Sequence, residues 1–412
     1  MRRSPRLPGL YLILVLVTAL ASIAGCARSD APLGSVVTVR DSSGIRIVDQ
    51  SLIVVPRVSL GEPYLTLGSI SGEEDAFYRV SAIERFDDGS WMVVNAGTSE
   101  VRVFDADGRF LSSIGGRGDG PGELAQLTTA TLFPGDSVFA WDLVGRRGVV
   151  YTRSGDSGRD VRLSDELSGA LVLPVGVAED RVVMTTASLF RDAGGDGGRI
   201  LRPSNEGYIM DAEASPVAEL GEIPGAESWY VQDGSRTSIR SFPFAKRGVA
   251  VVAGDRIVIG DSGENDLRVH GASGDLEAIW RVLGEPERVT SSDWQEERRR
   301  AVAAADSADD LRAVRAMFEE IPQPGRRPVW SSMLGAEDGS VWVRQYTAEG
   351  VEGGGEWWVI SPEGEVVTEV VLPGDFRPLW SDGEVVAGSL TDDLDVEYLH
   401  FYRVSAGARD AA

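Results

Sequence analysis

The sequence predicts an all-β protein built as a closed ring of six small sheets. Hairpin turns containing an acidic residue and a glycine recur along the chain, most clearly within residues 86–94 and 336–343. A second turn follows each of six such hairpins, so the repeated unit has four strands, which we name A to D in chain order. Six four-stranded units with a period of about 45 residues are typical of a six-bladed β-propeller.

The two ends of the chain provide a check on this ring. The sixth unit reaches its second turn at 406–407, where the chain ends without a D strand. A spare strand at 64–68 resembles the D strand at 110–115 in character. Because an open ring leaves strand edges unpaired, we predict that this N-terminal strand completes the sixth blade. Residues 36–48 predict an additional hairpin, whose place in the ring the sequence does not indicate.

Composition limits the functions that are open to this chain of 412 residues. Hydrophobic residues make up 42% and charged residues 25%, which provides enough apolar material for a core. The net charge of −24 repels phosphate backbones, so we expect no nucleic-acid partner. With one cysteine, Cys26, and two histidines, His270 and His400, the sequence has neither a Cys/His zinc site nor an intrachain disulfide.

The first 25 residues have the character of a secretory signal. Three arginines within the first six residues precede an apolar run at 10–20, which is too short to span about 30 Å of hydrocarbon as a helix. The run leads into a stretch of small residues and the only cysteine. This stretch resembles the lipobox of bacterial lipoproteins, and it consists of Ile23, Ala24, Gly25 and Cys26.

The lipobox resemblance implies that the chain is cut before Cys26 and that the thiol and the new amine carry acyl chains. Several acyl chains anchor a protein stably, whereas one alone is marginal. We therefore expect a signal peptide at 1–25, a polar tether at 26–35 and one propeller domain at 36–412, present as a monomer at the bacterial cell envelope. Ala27 rather than aspartate follows the cysteine, which by resemblance to enterobacterial sorting favours the outer membrane. The alternative is an ordinary signal peptide with an incidental cysteine.

The connector after the first D strand carries a further resemblance. Residues 115–124 (GGRGDGPGEL) lie between a D strand and the next A strand. They resemble the connector of NHL-type repeats, and the mature chain resembles the bacterial six-bladed propeller lipoproteins of that group along nearly its full length. The resemblance implies the fold, and it leaves the ligand open.

Long loops concentrate on one predicted face of the ring. In a propeller the A–B and C–D turns share one face, and the B–C loops and D-to-A connections share the other. All the long insertions are of the second kind, which favours that face as the binding face, with drift in tolerant loops as the alternative. These insertions lie at 115–128, 187–206, 222–247, 284–329 and 347–355.

The longest insertion predicts two helices at about 290–322, between blades four and five. Ser292 with Gln295 and Ser307 with Asp310 have the spacing of capping boxes. An apolar stripe that includes Val314 follows the second cap. The stripe is expected to pack on the ring, and the alternative is a lid over the central channel.

Two sets of residues are candidates for binding. Strand B ends in Asn95, Asp142 and Asp261 in three blades, and oxygens gathered at a channel mouth suit calcium. Propeller lactonases of the gluconolactonase type use such a metal, whereas the competing interpretation is that each side chain caps its own B–C turn. Four aromatic residues in or beside long loops offer stacking surface or core packing, namely Trp229, Trp330, Trp357 and Trp358.

The preferred function is a non-enzymatic, lipid-anchored envelope propeller that binds a ligand through the face with the long loops. Its partners are membrane lipid through acylated Cys26 and an envelope protein, peptide or saccharide. The sequence contains no Gly-x-Ser-x-Gly elbow and no P-loop, and neither histidine has a motif partner. The alternative is a metal-dependent lactonase-like or lyase-like enzyme at the channel mouth.

Overall fold

A computed structural model of the chain describes residues 36–51, 55–69, 72, 74–163, 167, 171–187, 197–233, 236–347 and 354–404. The predicted signal peptide, the lipobox, the tether and the turn at 406–407 lie outside the described residues. Within the described part of the chain, no helix combines the length and the apolar character needed to cross a membrane.

Four strands precede the first complete sheet. They are β1 (Val36–Ser42), β2 (Ile45–Ser51), β3 (Arg57–Ser59) and β4 (Leu65–Leu67). The strands β1 and β2 form an antiparallel hairpin with its turn at Ser43 and Gly44. Gly44 has a φ of 87°, a left-handed conformation that glycine adopts without strain.

The rest of the chain, together with β4, builds six antiparallel blades of four strands. Blades 1 to 5 each take their four strands in chain order. Blade 1 contains β5 (Val80–Arg85), β6 (Trp91–Asn95), β7 (Glu100–Phe104) and β8 (Phe110–Gly115). Blade 2 contains β9 (Leu127–Phe133), β10 (Ser137–Asp142), β11 (Arg147–Thr152) and β12 (Ser157–Arg162). Blade 3 contains β13 (Leu171–Ala178), β14 (Arg181–Ala187), β16 (Ser204–Met210) and β17 (Pro216–Pro224), with β15 (Gly197–Leu201) inserted between its B and C strands.

Two further strands, β18 (Ser228–Asp233) and β19 (Arg236–Arg240), separate blade 3 from blade 4. Blade 4 contains β20 (Gly248–Ala253), β21 (Arg256–Asp261), β22 (Asp266–His270) and β23 (Leu276–Arg281). The helices α1 (Ser291–Ala303) and α2 (Ala308–Glu320) follow it. Blade 5 contains β24 (Trp330–Gly335), β25 (Val341–Gln345), β26 (Gly355–Ile360) and β27 (Val366–Leu372), and blade 6 begins with β28 (Arg377–Ser381), β29 (Val385–Thr391) and β30 (Glu397–Arg403).

The six blades form a closed ring around a central axis. Each A strand contacts the A strand of the next blade, in the order β5, β9, β13, β20, β24, β28 and back to β5. Buried apolar side chains fill the interfaces between blades; for example, Trp91 of blade 1 packs edge-on against Trp380 of blade 6 with ring centroids 5.0 Å apart. The predicted fold class is therefore confirmed.

The N-terminal strand closes the ring as predicted. Strand β4 pairs antiparallel with β30, with Leu67 opposite Leu399 and Leu65 opposite Phe401. The Tyr64 amide also donates to the Phe401 carbonyl at 2.9 Å. Leu67 is only 5% exposed and belongs to the apolar cluster between blades 6 and 1. Blade 6 therefore takes its D strand from the other end of the chain.

The additional N-terminal hairpin lies on the outer edge of the ring. Strand β2 pairs in parallel with β23 and extends blade 4 to six strands, and β3 pairs in parallel with β27 of blade 5. Gln50 links the two blades, since its side chain accepts from the Val366 amide at 2.6 Å and donates to the Val366 carbonyl at 3.1 Å. The N-terminal segment thus runs along the outer edges of blades 4, 5 and 6 before blade 1 begins.

Insertions from separate blades assemble a small cap on one face. We define the cap as residues 197–201, 228–233, 236–245 and 289–321. Strands β15, β18 and β19 form its three-stranded sheet, and α1 and α2 pack beside it. The cap has an apolar core separate from the cores of the blades, and this core contains Trp229, Phe242, Phe244, Val289, Trp294, Val314, Met317, Phe318 and Ile321.

The start of α2 agrees with the predicted capping residue, and the start of α1 does not. Helix α2 is capped by Ser307, whose hydroxyl accepts from the Asp310 amide at 3.1 Å. The prediction for α1 was wrong, because Thr290 with Asp293 forms the capping box instead of Ser292 with Gln295. Since α1 begins at Ser291, Ser292 already lies in its first turn, where its side chain is too late to cap.

Candidate functional site

The central channel is wide at the end formed by the A–B turns. This part of the channel encloses about 650 Å³. Its walls come from the A strands of all six blades and carry both apolar and polar side chains. The apolar lining includes Ala82, Leu132, Val175, Val252, Leu334 and Leu379. The A–B turns lie on the face opposite to the long loops, so this cavity is not the channel mouth that the sequence-based enzyme hypothesis used.

All ionisable groups that line this cavity are carboxylates. Glu84 lies within the channel, and the other five occupy or adjoin the A–B turns of blades 1 to 5. Those five are Asp87, Asp136, Glu179, Asp255 and Glu337. No lysine or arginine is among the described residues that line the cavity. We refer to these six carboxylates as the channel acids.

Glu84 is the innermost of the channel acids. Its carboxylate reaches the neighbouring A strand and accepts the Leu132 amide at 2.6 Å. Protein encloses most of the side chain, which keeps some contact with solvent through the channel, and this desolvation raises its pKa to about 7. The Leu132 amide and the Thr131 hydroxyl oppose the shift, and the charge of Glu337 adds to it.

Glu337 lies at the exposed mouth of the same cavity. Its carboxylate accepts the indole N–H of Trp380 at 2.7 Å. Partial desolvation raises the pKa of Glu337, whereas the Trp380 hydrogen bond opposes this shift. Glu337 and Asp87 occupy corresponding positions in the repeated turns of blades 5 and 1, where Asp338 and Asp88 hold the turns through Ser340 and Ser90. The turn geometry therefore places an acidic residue at the channel mouth in both blades.

A second cavity lies between the cap and the ring, on the face with the long loops. It encloses about 470 Å³. One wall is the segment 240–247, a second is formed by the helices and a third by blade 5. The side chains that make its surface mainly apolar and aromatic are Phe242, Phe244, Ala301, Val314, Met317 and Trp330.

Two polar groups beside the cap cavity lack a protein partner. The indole N–H of Trp330 and the hydroxyl of Ser331 are buried, and neither has a hydrogen-bond partner among the described residues. Trp330 is 0% and Ser331 is 4% exposed, and both residues line the cavity. An unsatisfied buried polar group costs about 1–3 kcal/mol, so such groups are sites where a ligand or water gains a hydrogen bond.

The cap cavity also contains a buried acid and a tyrosine. Burial raises the pKa of Glu297, and Arg300 and Arg327 oppose that shift. Burial likewise raises the pKa of Tyr346 to about 12, so this phenol stays protonated at neutral pH. The Tyr346 oxygen accepts the Phe244 amide at 3.2 Å, which ties blade 5 to the cap.

The structure does not gather Asn95, Asp142 and Asp261 around a shared metal position. Asn95 accepts the Tyr78 amide at 2.7 Å. Asp142 is fully buried and accepts the amides of Ala125, Gln126 and Gly145, each at 3.0 Å. Asp261 accepts from the Gly263 amide at 2.9 Å and from Arg202 at 2.6 Å.

Asp142 and Asp261 each accept an amide of their own B–C turn, from Gly145 and Gly263, as the competing interpretation of the sequence proposed. The Asn95 side chain instead fastens the segment before β5, through the Tyr78 amide. The oxygens of all three side chains already accept N–H groups, and hydrogen bonds from backbone amides keep the pKa of Asp142 low. Within the described part of the chain, no group of three or more His, Cys, Asp or Glu residues is arranged to hold a metal ion. The calcium site suggested by the sequence is not formed by these three residues.

Three of the four tryptophans are core residues rather than an exposed stacking surface. Trp229 lies in the cap core, Trp330 and Trp357 lie in blade cores, and each is at most 4% exposed. Trp358 is partly buried against the core that contains Trp330. Core packing, the second of the two sequence-based alternatives, therefore describes Trp229, Trp330 and Trp357, and Trp330 also lines the cap cavity. Their high apolar area explains the burial, because a tryptophan beside a loop still gains most by packing inward.

The channel acids and the cap cavity were missed by sequence reasoning. The acidic residues of the A–B turns were visible as turn signals, and their convergence on one cavity follows from the ring. Glu84 carried no local signal, because both faces of a propeller blade are covered by neighbours and strand alternation does not separate channel from core. The cap cavity depends on insertions that lie far apart in sequence.

Comparison with known proteins gives the following matches. A family model, DUF5128, described as a 6-bladed beta-propeller, matches residues 72–151. A candidate exported protein of Bacteroides fragilis is 10% identical, with a TM-score of 0.48 and coverage of 85% of this chain and 99% of that chain. A DUF4221-family member from Bacteroides vulgatus is 12% identical, with a TM-score of 0.46 and coverage of 85% and 98%. A virginiamycin B lyase from Staphylococcus aureus is 10% identical, with a TM-score of 0.38 and coverage of 82% and 88%.

A search of the curated proteins finds no match to this sequence. The family match covers blade 1 and the first three strands of blade 2. The remaining blades are established by the sheet order, the contacts between A strands and the strand exchange in blade 6. Sheet topology and family match together identify the chain as a six-bladed β-propeller.

Proposed function

We propose that this protein is an exported, lipid-anchored propeller that binds a small ligand on the face with the long loops. The observation that carries this proposal is the cap cavity with its two unpartnered buried donors, Trp330 and Ser331. The ligand is expected to have a compact apolar body and at least one hydrogen-bond acceptor. Pockets that are mainly apolar, with a few fixed polar groups, are the usual form of small-molecule sites.

The construction of the cap supports a binding role. Three of the four cap segments, 228–233, 236–245 and 289–321, share one apolar core, and the fourth, 197–201, joins them by pairing with β18. An ion pair between Arg240 and Asp310, 2.7 Å apart, joins the cap sheet to α2. A cavity built by several segments can be adjusted through loop changes without disturbing the blades, which is how propellers and other rigid scaffolds acquire binding sites.

A fluorescent apolar amine tests the cap cavity directly. N-phenyl-1-naphthylamine is expected to bind the wild-type protein with enhanced fluorescence. Val314→Trp should fill the cavity and lower this affinity at least about tenfold, because the probe loses its apolar volume. Val367→Trp is the matched control, since Val367 is 45% exposed on blade 5 and lies outside the cavity.

A second variant keeps the test independent of folding. Ser331→Ala removes one unpartnered hydroxyl with little change of volume, so the melting temperature should stay within a few degrees of the wild type. Its affinity for acceptor-bearing ligands found by thermal-shift screening should fall about fivefold or more, as expected for one lost hydrogen bond. Equal probe binding by wild type and Val314→Trp, with both folded, would refute the proposed site.

The lipid anchor rests on the lipobox, residues 23–26. In a bacterial host the wild type is expected to incorporate an alkyne-labelled fatty acid and to enter the detergent phase of Triton X-114. Cys26→Ala should abolish both, because the chain has no other thiol to acylate. Ser29→Ala is the control and should behave as the wild type. Unlabelled wild type, or labelled Cys26→Ala, would contradict acylation at this residue.

A further inference from the structure

The strongest unexplained feature outside the cap is the cavity at the A–B end of the central channel. All six ionisable side chains that line it are acidic. Two arginines lie near its mouth. Arg85 is 3.6 Å from Asp382, lies over the Trp91 ring and opposes the rise in the pKa of Glu337, and Arg153 is 2.6 Å from Asp88. Arg153 also approaches the channel acid Asp136, at 3.7 Å. The six carboxylates outnumber these two guanidinium groups, so the net charge around the cavity is negative.

The shape of the cavity concentrates the field of these charges. Its walls belong to the inner strands of the ring and combine apolar side chains with polar groups, and the carboxylates surround this enclosed space. A cleft lined by charges of one sign with low-dielectric walls focuses the potential and raises the local concentration of counter-charged ligands. A volume of about 650 Å³ is ample for a small organic molecule and exceeds what a bare metal ion needs.

Two groups inside the cavity lack sufficient compensation from the protein. Glu84 has hydrogen-bond donors in Leu132 and Thr131 but no cationic partner among the interactions that affect its charge. The hydroxyl oxygen of Ser81 is buried, and it has no hydrogen-bond partner among the described residues. Burying a carboxylate without a counter-charge is costly, and a bound cation would remove that cost.

We propose that the A–B end of the channel is a second binding site, which takes an organic cation with a compact apolar body. The apolar part contacts side chains such as Leu334 and Leu379, and the cationic group approaches Glu84. The rim carboxylates, including Asp87 and Asp255, attract the cation from solution. This site lies on the face opposite to the cap, and it does not depend on the proposed function of the cap cavity.

Three probes that share one apolar body test the proposal. They are 1-adamantylamine, a cation at pH 7.5, 1-adamantanol, which is neutral, and 1-adamantanecarboxylate, an anion. Isothermal titration calorimetry is expected to give an affinity for the amine at least about tenfold higher than for the alcohol, and no detectable binding of the carboxylate. Raising the salt concentration should weaken the binding of the amine and leave the binding of the alcohol unchanged, because ions screen the rim charges.

Substitutions separate the contribution of Glu84 to amine binding from that of the rim carboxylates. Glu84→Gln should lower the amine affinity about tenfold and leave the affinity for the alcohol unchanged, and Asp255→Asn should lower the amine affinity by a smaller factor. Glu363→Gln is the matched control, since Glu363 is an exposed acid in a C–D turn outside the cavity. Val314→Trp in the cap should not affect amine binding, so failure at one site is distinguishable from failure at the other. Equal affinities for all three probes, or an unchanged amine affinity in Glu84→Gln, would overturn the proposal.

Discussion

Leu67→Asp is expected to open the ring and to lower the free energy of unfolding by about 4 kcal/mol or more. Leu67 is 5% exposed in the apolar cluster that joins blade 6 to blade 1. An aspartate there buries an unpaired charge, which is among the most destabilising single changes known. The loss also detaches β4 from β30, and with it the pairing between the two ends of the chain. Guanidinium denaturation followed by tryptophan fluorescence measures the effect.

Leu111→Asp provides the control for this prediction. Leu111 lies in the D strand of blade 1 and is 53% exposed, so its replacement should change stability by less than about 1 kcal/mol. Hydrogen exchange adds a local readout, because amides of 397–403 that depend on β4 should exchange faster in Leu67→Asp. If the two variants were equally stable, the N-terminal strand would not be the element that closes the ring.

Glu84→Gln is expected to remove a pH-dependent loss of stability from the folded protein. The pKa of Glu84 is raised to about 7, whereas an ordinary glutamate in the unfolded chain titrates near 4.5. Below pH 4.5 both states hold the proton and Glu84 has no effect. As the pH rises to about 7, the unfolded chain loses its proton first, so ionisation disfavours the folded state progressively. Above pH 7 the ionised Glu84 lowers the free energy of unfolding by about 3 kcal/mol.

The comparison of pH profiles measures this effect. At pH 8 Glu84→Gln should be more stable than the wild type by up to about 3 kcal/mol, and at pH 4.5 the two should agree within about 0.5 kcal/mol. The amide retains an oxygen that accepts the Leu132 amide, so the local hydrogen bond is preserved. Glu363→Gln should follow the wild-type profile at both pH values. Parallel profiles for wild type and Glu84→Gln would show that burial of this carboxylate is not costly.

Local sequence features predicted much of the ring. The hairpin turns at 135–136, 179–180, 254–255 and 382–383 lie between A and B strands as expected. These turns could be predicted because a glycine or acidic residue at a tight turn satisfies a local backbone requirement. Gly89 and Gly339, with φ of 86° and 83°, occupy corresponding turns in blades 1 and 5. The strand at 64–68 was also identified, because a ring that lacks one strand requires a spare strand elsewhere.

Residues with the same local character had different roles that only long-range contacts could assign. Asp142 and Glu84 are both acids on blade strands, yet Asp142 accepts three amides in a B–C corner whereas Glu84 lies in the channel. Trp229 and Trp357 are near long loops but pack inward. The capping residue of α1 was misplaced by two positions, because Thr290 and Ser292 both have suitable hydroxyls and the packing of the helix selects its first turn.

Turn chemistry and strand periodicity were readable from the chain because they depend on neighbours within a few residues. The blade count belongs to this class, and the closing strand follows from it because a ring that is one strand short requires a spare strand. The cap cavity and the ring of channel acids depend on segments that are up to about 250 residues apart and meet only after the blades have closed. A side chain's environment is set by what packs against it in three dimensions, so the chemistry of both cavities emerges with the fold.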